Sequence, residues 1–188
     1  MLPEVSIKTS VDRLGDNEFT GSRMEEKLDR LKTELSAALT SHYQKLTSGV
    51  PDVYGYALYS NDGISSLGPV ANRESAIEVG PDNKMYNYYR YLAVEWSEWD
   101  DFGLFDDVNK IVAEIHADDV IEFSDKREAV LRVCLKVMCD LEAGGLFGPQ
   151  TDERFVVICL ADSDDDIMMK SAELLNSPST FAAYSGEF

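Results

Sequence analysis

Ser124–Asn176 reads SDKREAVLRVCLKVMCDLEAGGLFGPQTDERFVVICLADSDDDIMMKSAELLN, a helix, a glycine stop, an apolar strand, an acidic turn and a second helix in one run. Val130, Val133, Cys134, Val137, Met138 and Leu141 recur at helical spacing and are joined by Leu131 and Leu135. Apolar residues therefore wrap most of a helix expected from a cap at Ser124 to about Glu142, which makes it a central helix. Gly144-Gly145 ends it in a left-handed turn, with Leu146-Phe147 folding back on its last turn. Phe155–Ala161, FVVICLA, is an unbroken apolar run of strand length. It predicts a strand covered on both faces, in the middle of the sheet. Ile167–Leu175 is the second helix, closed by Asn176 and Pro178, and the tail to Phe188 is expected to be irregular.

The acidic turn Asp162, Ser163, Asp164, Asp165, Asp166 raises the sharpest chemical question. Carboxylates at the carboxyl end of a strand are where many α/β enzymes hold Mg²⁺, with Asp162, Asp164 and Asp165 as the candidate ligands of a divalent-metal-dependent enzyme. The plainer account has them capping the following helix, whose dipole favours anions by about 0.3 to 1 kcal/mol each. We favour the cap and expect neither metal nor cofactor, because no second carboxylate motif or paired histidine accompanies the turn. Gly144-Gly145 follows a helix and precedes a strand, the reverse of a phosphate loop, and no G-x-x-x-x-G-K-[ST] occurs. His42 and His116 are the only histidines. Both fall in amphipathic helices, so no Ser-His-Asp, Cys-His or spaced zinc arrangement is indicated and no catalytic residue is assigned.

Upstream, Met1–Gly21 is polar and without periodicity and reads as a loosely held arm. Ser22 with Glu25 matches a capping box, and Met24, Leu28, Leu31, Leu35, Leu39 and Leu46 form one apolar stripe ended by Gly49 and Pro51. His42 is expected on the surface near the end of this helix. Val53–Ser60, the turn Asn61-Asp62-Gly63 and Ile64–Val70 predict a β-hairpin, with Gly68-Pro69 at a bulge or strand end. Tyr86–Glu98 predicts a helix with Tyr89, Leu92 and Trp96 on one face and Tyr88, Glu95 and Trp99 on the other, some of them half exposed. Leu104, Val108, Ile111, Val112 and Ile115 mark a further helix. Between Glu95 and Asp125 the acidic residues are Glu95, Glu98, Asp100, Asp101, Asp106, Asp107, Glu114, Asp118, Asp119, Glu122 and Asp125, against Lys110 alone. A run of this kind is ordinarily a solvated face, yet its overlap with exposed aromatics is what docking a basic protein needs.

Composition sets the remaining bounds. A chain of 188 residues suits one domain, since domains run to roughly 100 to 200 residues. The expected fold is α+β, a small, mostly antiparallel sheet packed with several helices over residues 22–188, after an arm over 1–21. A net charge of -18, from 35 acidic and 17 basic residues, repels nucleic acid and anionic membrane surfaces and favours a basic partner. Cys134, Cys139 and Cys159 are an odd number in apolar settings, which reads as reduced thiols in a cytoplasm. No basic segment with an apolar run opens the chain, and no stretch approaches the roughly 18 apolar residues of a membrane span.

In this order the pieces resemble a bacterial family known as domain of unknown function 4303. The likeness lies in VYGYALYSNDG, the tyrosine-rich stretch leading to Trp96, Gly145-Leu146-Phe147-Gly148, and FVVICLADSDDD ending in LLN, and it covers most of the chain after about Met24. The resemblance implies an α/β-type domain and carries over no active-site residues. Some such small bacterial proteins are encoded beside polymorphic toxins as immunity proteins. The expected function is accordingly an acidic cytoplasmic immunity protein that occludes a basic toxin. Its expected partner surface is Glu95, Glu98, Trp99, Asp100, Asp101, Asp106, Asp107, Asp118 and Asp119. The alternatives are the metal-dependent enzyme and a non-catalytic interaction module of a bacterial assembly.

Overall fold

Strand β1, Val53–Asn61, alternates its side chains between two faces, and both faces are needed. In a computed structural model of the protein, which describes residues 11–163 and 165–188, β1 is the middle of three strands. Strand β2, Gly68–Arg73, pairs with it antiparallel and β3, Phe155–Ala161, pairs with it in parallel, Gly55 opposite Phe155. The fold is α+β, but the sheet is mixed rather than mostly antiparallel. β3 is therefore an edge strand and not the middle one. FVVICLA is buried because helices cover both its faces, and that burial leaves the same sequence signature as a central position. The second hairpin strand starts later than expected, at Gly68. Ile64 instead sits in the turn at φ 51°, with its side chain fully buried.

One face of the sheet presents Tyr56, Leu58, Val156, Ile158 and Leu160 to the larger core. Helices α1 (Val11–Gly49), α3 (Asp106–His116) and α4 (Phe123–Ala143) close it. The other face presents Ala57, Phe155, Val157 and Cys159 to a smaller core with Tyr91, Trp96 and Tyr184. Those come from α2 (Tyr86–Tyr91), the loop after it and α6 (Pro178–Ser185). Gly55 is required here, since a Cβ would lie 2.9 Å from the Trp96 ring. Among the described residues no helix is long and apolar enough to cross a membrane.

Four local expectations change. α1 already includes Val11, so Ser22 and Glu25 lie inside it; the S-x-x-E pattern is compatible with a helix interior and marks a start only where the preceding chain leaves the helix. Residues 1–10 of the expected arm lie outside the described residues. The aromatic helix stops at Tyr91, because Leu92 is extended and a 3-10 turn, Ala93–Glu95, follows. That break buries Trp96 and leaves Tyr89 exposed, where one continuous helix would have put both on one face. Helix α4 begins at Phe123 with Glu122 rather than Ser124 at its cap, two residues earlier. The tail is not irregular: Ser177 caps α6, its Oγ accepting the Thr180 N–H at 3.1 Å, and Pro178 occupies the first turn.

Both edges of the sheet are occupied. Along the side of β3 turned away from β1, helix α5 (Ile167–Leu175) and the residue after it supply side chains in place of a fourth strand. Asn176 accepts the Val156 N–H at 2.7 Å and donates to the Val156 carbonyl at 2.7 Å, Ser171 accepts the Ile158 N–H at 2.9 Å, and Met168 Sδ receives the Leu160 N–H at 3.4 Å. At β2, Glu98 exchanges two backbone hydrogen bonds with Ala71, at 2.9 and 3.0 Å.

Candidate functional site

The segment from Trp96 to Phe105 leaves the smaller core, crosses the β2 edge at Glu98 and re-enters the larger core at Phe105. On the way it forms a ridge. Trp99 is 44% exposed yet fixed, its indole N–H donating to the Trp96 carbonyl and its ring meeting Tyr59 edge-on at 4.9 Å. Asp100 and Asp101 turn one carboxylate oxygen back to the Phe102 and Gly103 N–H groups, 2.8 Å each, which holds the loop in shape. Glu98 pairs with Arg73 at 2.8 Å and Asp107 with Lys110 at 2.7 Å. Glu95, Asp100, Asp101 and Asp106 form no ion pair among the described residues.

The structure divides the residues expected to act together. Asp118 and Asp119 lie beyond the far end of α3, roughly 16 Å from Asp106 at 1.5 Å per residue. There Lys27 of α1 pairs with Asp118 at 3.3 Å and Arg30 with Glu114 at 2.9 Å. The Val120 N–H first, and Lys27 with it, hold the Asp118 carboxyl below its ordinary range. Linear counting overstates the free negative charge of this run, because α1 brings cations from residues more than eighty positions away.

His42 latches the ridge from beneath and is not a surface residue. It is 1% exposed, with Nε2 2.9 Å from the Asp100 carbonyl and Nδ1 2.9 Å from the Tyr56 hydroxyl. A carbonyl only accepts, so Nε2 carries the proton and Nδ1 accepts from Tyr56. Its ring also stacks on Phe102, over which Lys45 sits at 4.0 Å. Burial, outweighing the Asp100 carbonyl and the charges of Asp100 and Asp101, pushes the His42 pKa below its ordinary 6.5. Since the folded value is the lower one, the unfolded chain takes up the proton first as pH falls. The stabilisation is complete above pH 6.5 and is lost progressively below it, through the folded value. In urea titrations the wild type should lose stability between pH 7.5 and 5.5, and His42→Gln should remove this contribution to the slope.

In the acidic turn after β3, Asp165 is engaged from α4. Arg127 of α4 meets Asp165 at 2.7 Å and Asp62 at 2.8 Å, and Ser163 donates to Asp62 at 2.7 Å. The turns at the carboxyl ends of the parallel strands β1 and β3 are thus joined through one guanidinium. Asp165 accepts the Ile167 N–H at 2.8 Å and is the side chain that caps α5, while Asp166 stands at the cap position without a side-chain bond. Of the candidate metal ligands, Asp162 is exposed at φ 54°, Asp165 is engaged by Arg127, and Asp164 lies outside the described residues. No group of three His, Cys, Asp or Glu residues suited to a metal occurs among the described residues.

Beside this turn lies a cleft of about 670 Å³ that sequence reasoning missed. It opens on the smaller face of the sheet, where Tyr59 and Cys159 face α6 and the chain end at Phe188. Burial pushes the Cys159 thiol up to about 11 and the Tyr184 hydroxyl up to about 12, so both stay protonated at neutral pH. Cys134 is pushed up to about 12 by complete burial and packs as a small hydrophobe. Two signals pointed to the cleft: the alternation of Phe155, Val157 and Cys159 toward one face, and Ser177-Pro178 as a helix start.

Fold and surface together define a single α+β domain with an acidic aromatic ridge and an apolar cleft at the strand ends. The chain belongs to the family described as Domain of unknown function (DUF4303), whose model matches residues 35–177. The match runs from within α1 to the residue after Asn176 and includes the ridge, all three strands and α5. No curated protein and no solved structure matches the chain.

Proposed function

We propose that this protein is a non-catalytic immunity protein that binds and occludes a basic protein toxin in the cytoplasm, using the ridge Glu95–Asp107 as its docking surface. The observation that carries the reading is Trp99, a large aromatic ring held exposed by its indole bond to the Trp96 carbonyl and followed by Asp100 and Asp101, which form no ion pair among the described residues. Preorganised aromatics of this kind dominate binding energy, and free rim charges accelerate encounter with an oppositely charged surface. Asp118 and Asp119 fall outside this surface, because they lie beyond the far end of α3 and Lys27 engages Asp118.

The test is protection of growing cells, and binding kinetics, against the protein encoded next to this one. Trp99→Ala should weaken binding by about thirtyfold, the loss of one hot-spot aromatic. Asp100→Asn with Asp101→Asn keeps the two backbone contacts but removes the charge, and should slow association and flatten its salt dependence. Unchanged protection in both variants rejects this surface. A neighbouring protein with no toxicity and no binding rejects the immunity reading itself.

A further inference from the structure

We propose that the cleft at the carboxyl ends of β1 and β3 is a binding site for a small organic cation, an amine or quaternary ammonium carried on an aromatic or alkyl body. The inference does not depend on the docking ridge, which recognises a protein.

The volume of about 670 Å³ is that of a site for a small molecule, which typically occupies roughly 300 to 1,000 Å³. The position also fits, since ligands of open sheets bind outside the carboxyl ends of parallel strands. The walls are apolar and polarisable. Tyr91, Tyr184 and Phe188 form one side, with Tyr91 meeting Tyr184 nearly edge-on at 6.2 Å and Tyr184 lying 5.2 Å from Phe188. Met168 and Met169 of α5 also line it; Met168 Sδ is held by the Leu160 N–H, while Met169 offers a flexible thioether to an aromatic or alkyl body.

The charge of the lining selects among ligands of that shape. Asp162, Asp165 and Asp166 edge the mouth, and no Lys, Arg or His lines the cleft among the described residues. Asp165 is neutralised by Arg127, whereas Asp162 and Asp166 are exposed and unpaired among the described residues. A phosphate or carboxylate head would face those two unpaired carboxylates with no Lys, Arg or His in the described lining to offset them. A cationic head gains twice, from those two carboxylates and from the negative faces of the tyrosine rings. The Tyr59 and Tyr184 hydroxyls form no hydrogen bond to a described residue, so each is free to serve the ligand.

Three probes sharing one ring system separate these contributions: tryptamine, the neutral alcohol indole-3-ethanol, and indole-3-propionate, each titrated calorimetrically into the full chain. Tryptamine is expected to bind about tenfold more tightly than the alcohol, and the carboxylate not measurably. Asp162→Asn with Asp166→Asn, both at exposed positions, should abolish the tenfold preference while leaving the affinity for the alcohol unchanged. Met169→Trp, which narrows the cleft, should weaken both. No binding of tryptamine at millimolar concentration, affinity for the carboxylate equal to that for the amine, or a preference that survives the Asp substitutions in a folded variant would each overturn the proposal.

Discussion

Replacing Asn176 by alanine is expected to lower the unfolding free energy by about 3 kcal/mol and the melting temperature by roughly 10 °C. Asn176 is 4% exposed and makes three hydrogen bonds within 2.8 Å: one from the Val156 N–H, and one each to the Val156 and Ala172 carbonyls. The alanine variant leaves the Val156 N–H and C=O buried and unpaired, and each such group costs about 1 to 3 kcal/mol. Asp is the informative control. It can still accept from Val156 but cannot donate, so Asn176→Asp should recover part of the loss only after protonation at low pH. Urea denaturation of the three proteins checks the order. A melting temperature unchanged in Asn176→Ala would mean that water replaces the amide, and that the side chain is dispensable to the edge.

Arg154→Ala is expected to cost about 3 to 5 kcal/mol. The guanidinium grips Glu142 with two bonds of 2.7 and 3.0 Å and donates to the Gly148 and Leu175 carbonyls at 3.2 and 2.6 Å. One side chain thereby ties the end of α4, the glycine turn after it and the end of α5 to the start of β3. Both partners are about nine-tenths buried, so removing the arginine strands a carboxylate in a poorly solvated position. Lysine should rescue little, having no planar fork for the two carboxylate oxygens. The double variant Arg154→Met with Glu142→Leu should recover most of the stability, since two matched apolar side chains leave no charge behind. Equal losses in the single and double variants would show that the carbonyl contacts, rather than the ion pair, hold the junction.

These two residues mark the limit of what the linear sequence discloses. α3, α4 and α5 were legible because apolar residues recur at helical spacing in each, although α4 buries one stripe rather than most of its circumference and is not a central helix. The left-handed stop at Gly145 and the return of Phe147 into the core were legible for the same local reason. The rank of β3 in the sheet was not. Burial on two faces reports the helices above and below, whereas strand order depends on where residues a hundred positions apart meet. The acidic ridge was legible in outline, since Trp99 and its neighbouring carboxylates are contiguous. Which carboxylates of the acidic run remain unpaired was not, because Arg73 reaches Glu98 on the ridge and Lys27 and Arg30 reach Asp118 and Glu114 beyond it, all from other elements. Nor was the cleft, whose walls are drawn from β1, α2, β3, α5, α6 and the chain end.

The side-chain border that α5 gives β3 also bears on association between molecules. An edge strand with free backbone groups is a template on which another chain can add a strand, the first step of β-aggregation. β3 is a severe case, since FVVICLA is apolar, β-branched and uncharged, the composition of an aggregating segment. Its partner β1 has left the synthesis machinery a hundred residues earlier, while α5 begins at Ile167, six residues after the strand ends at Ala161. The most adhesive edge in the protein is therefore made together with its own cover. Whatever else varies in this family, a sequence that separated that strand from that helix would have to find another way to stay monodisperse while it folds.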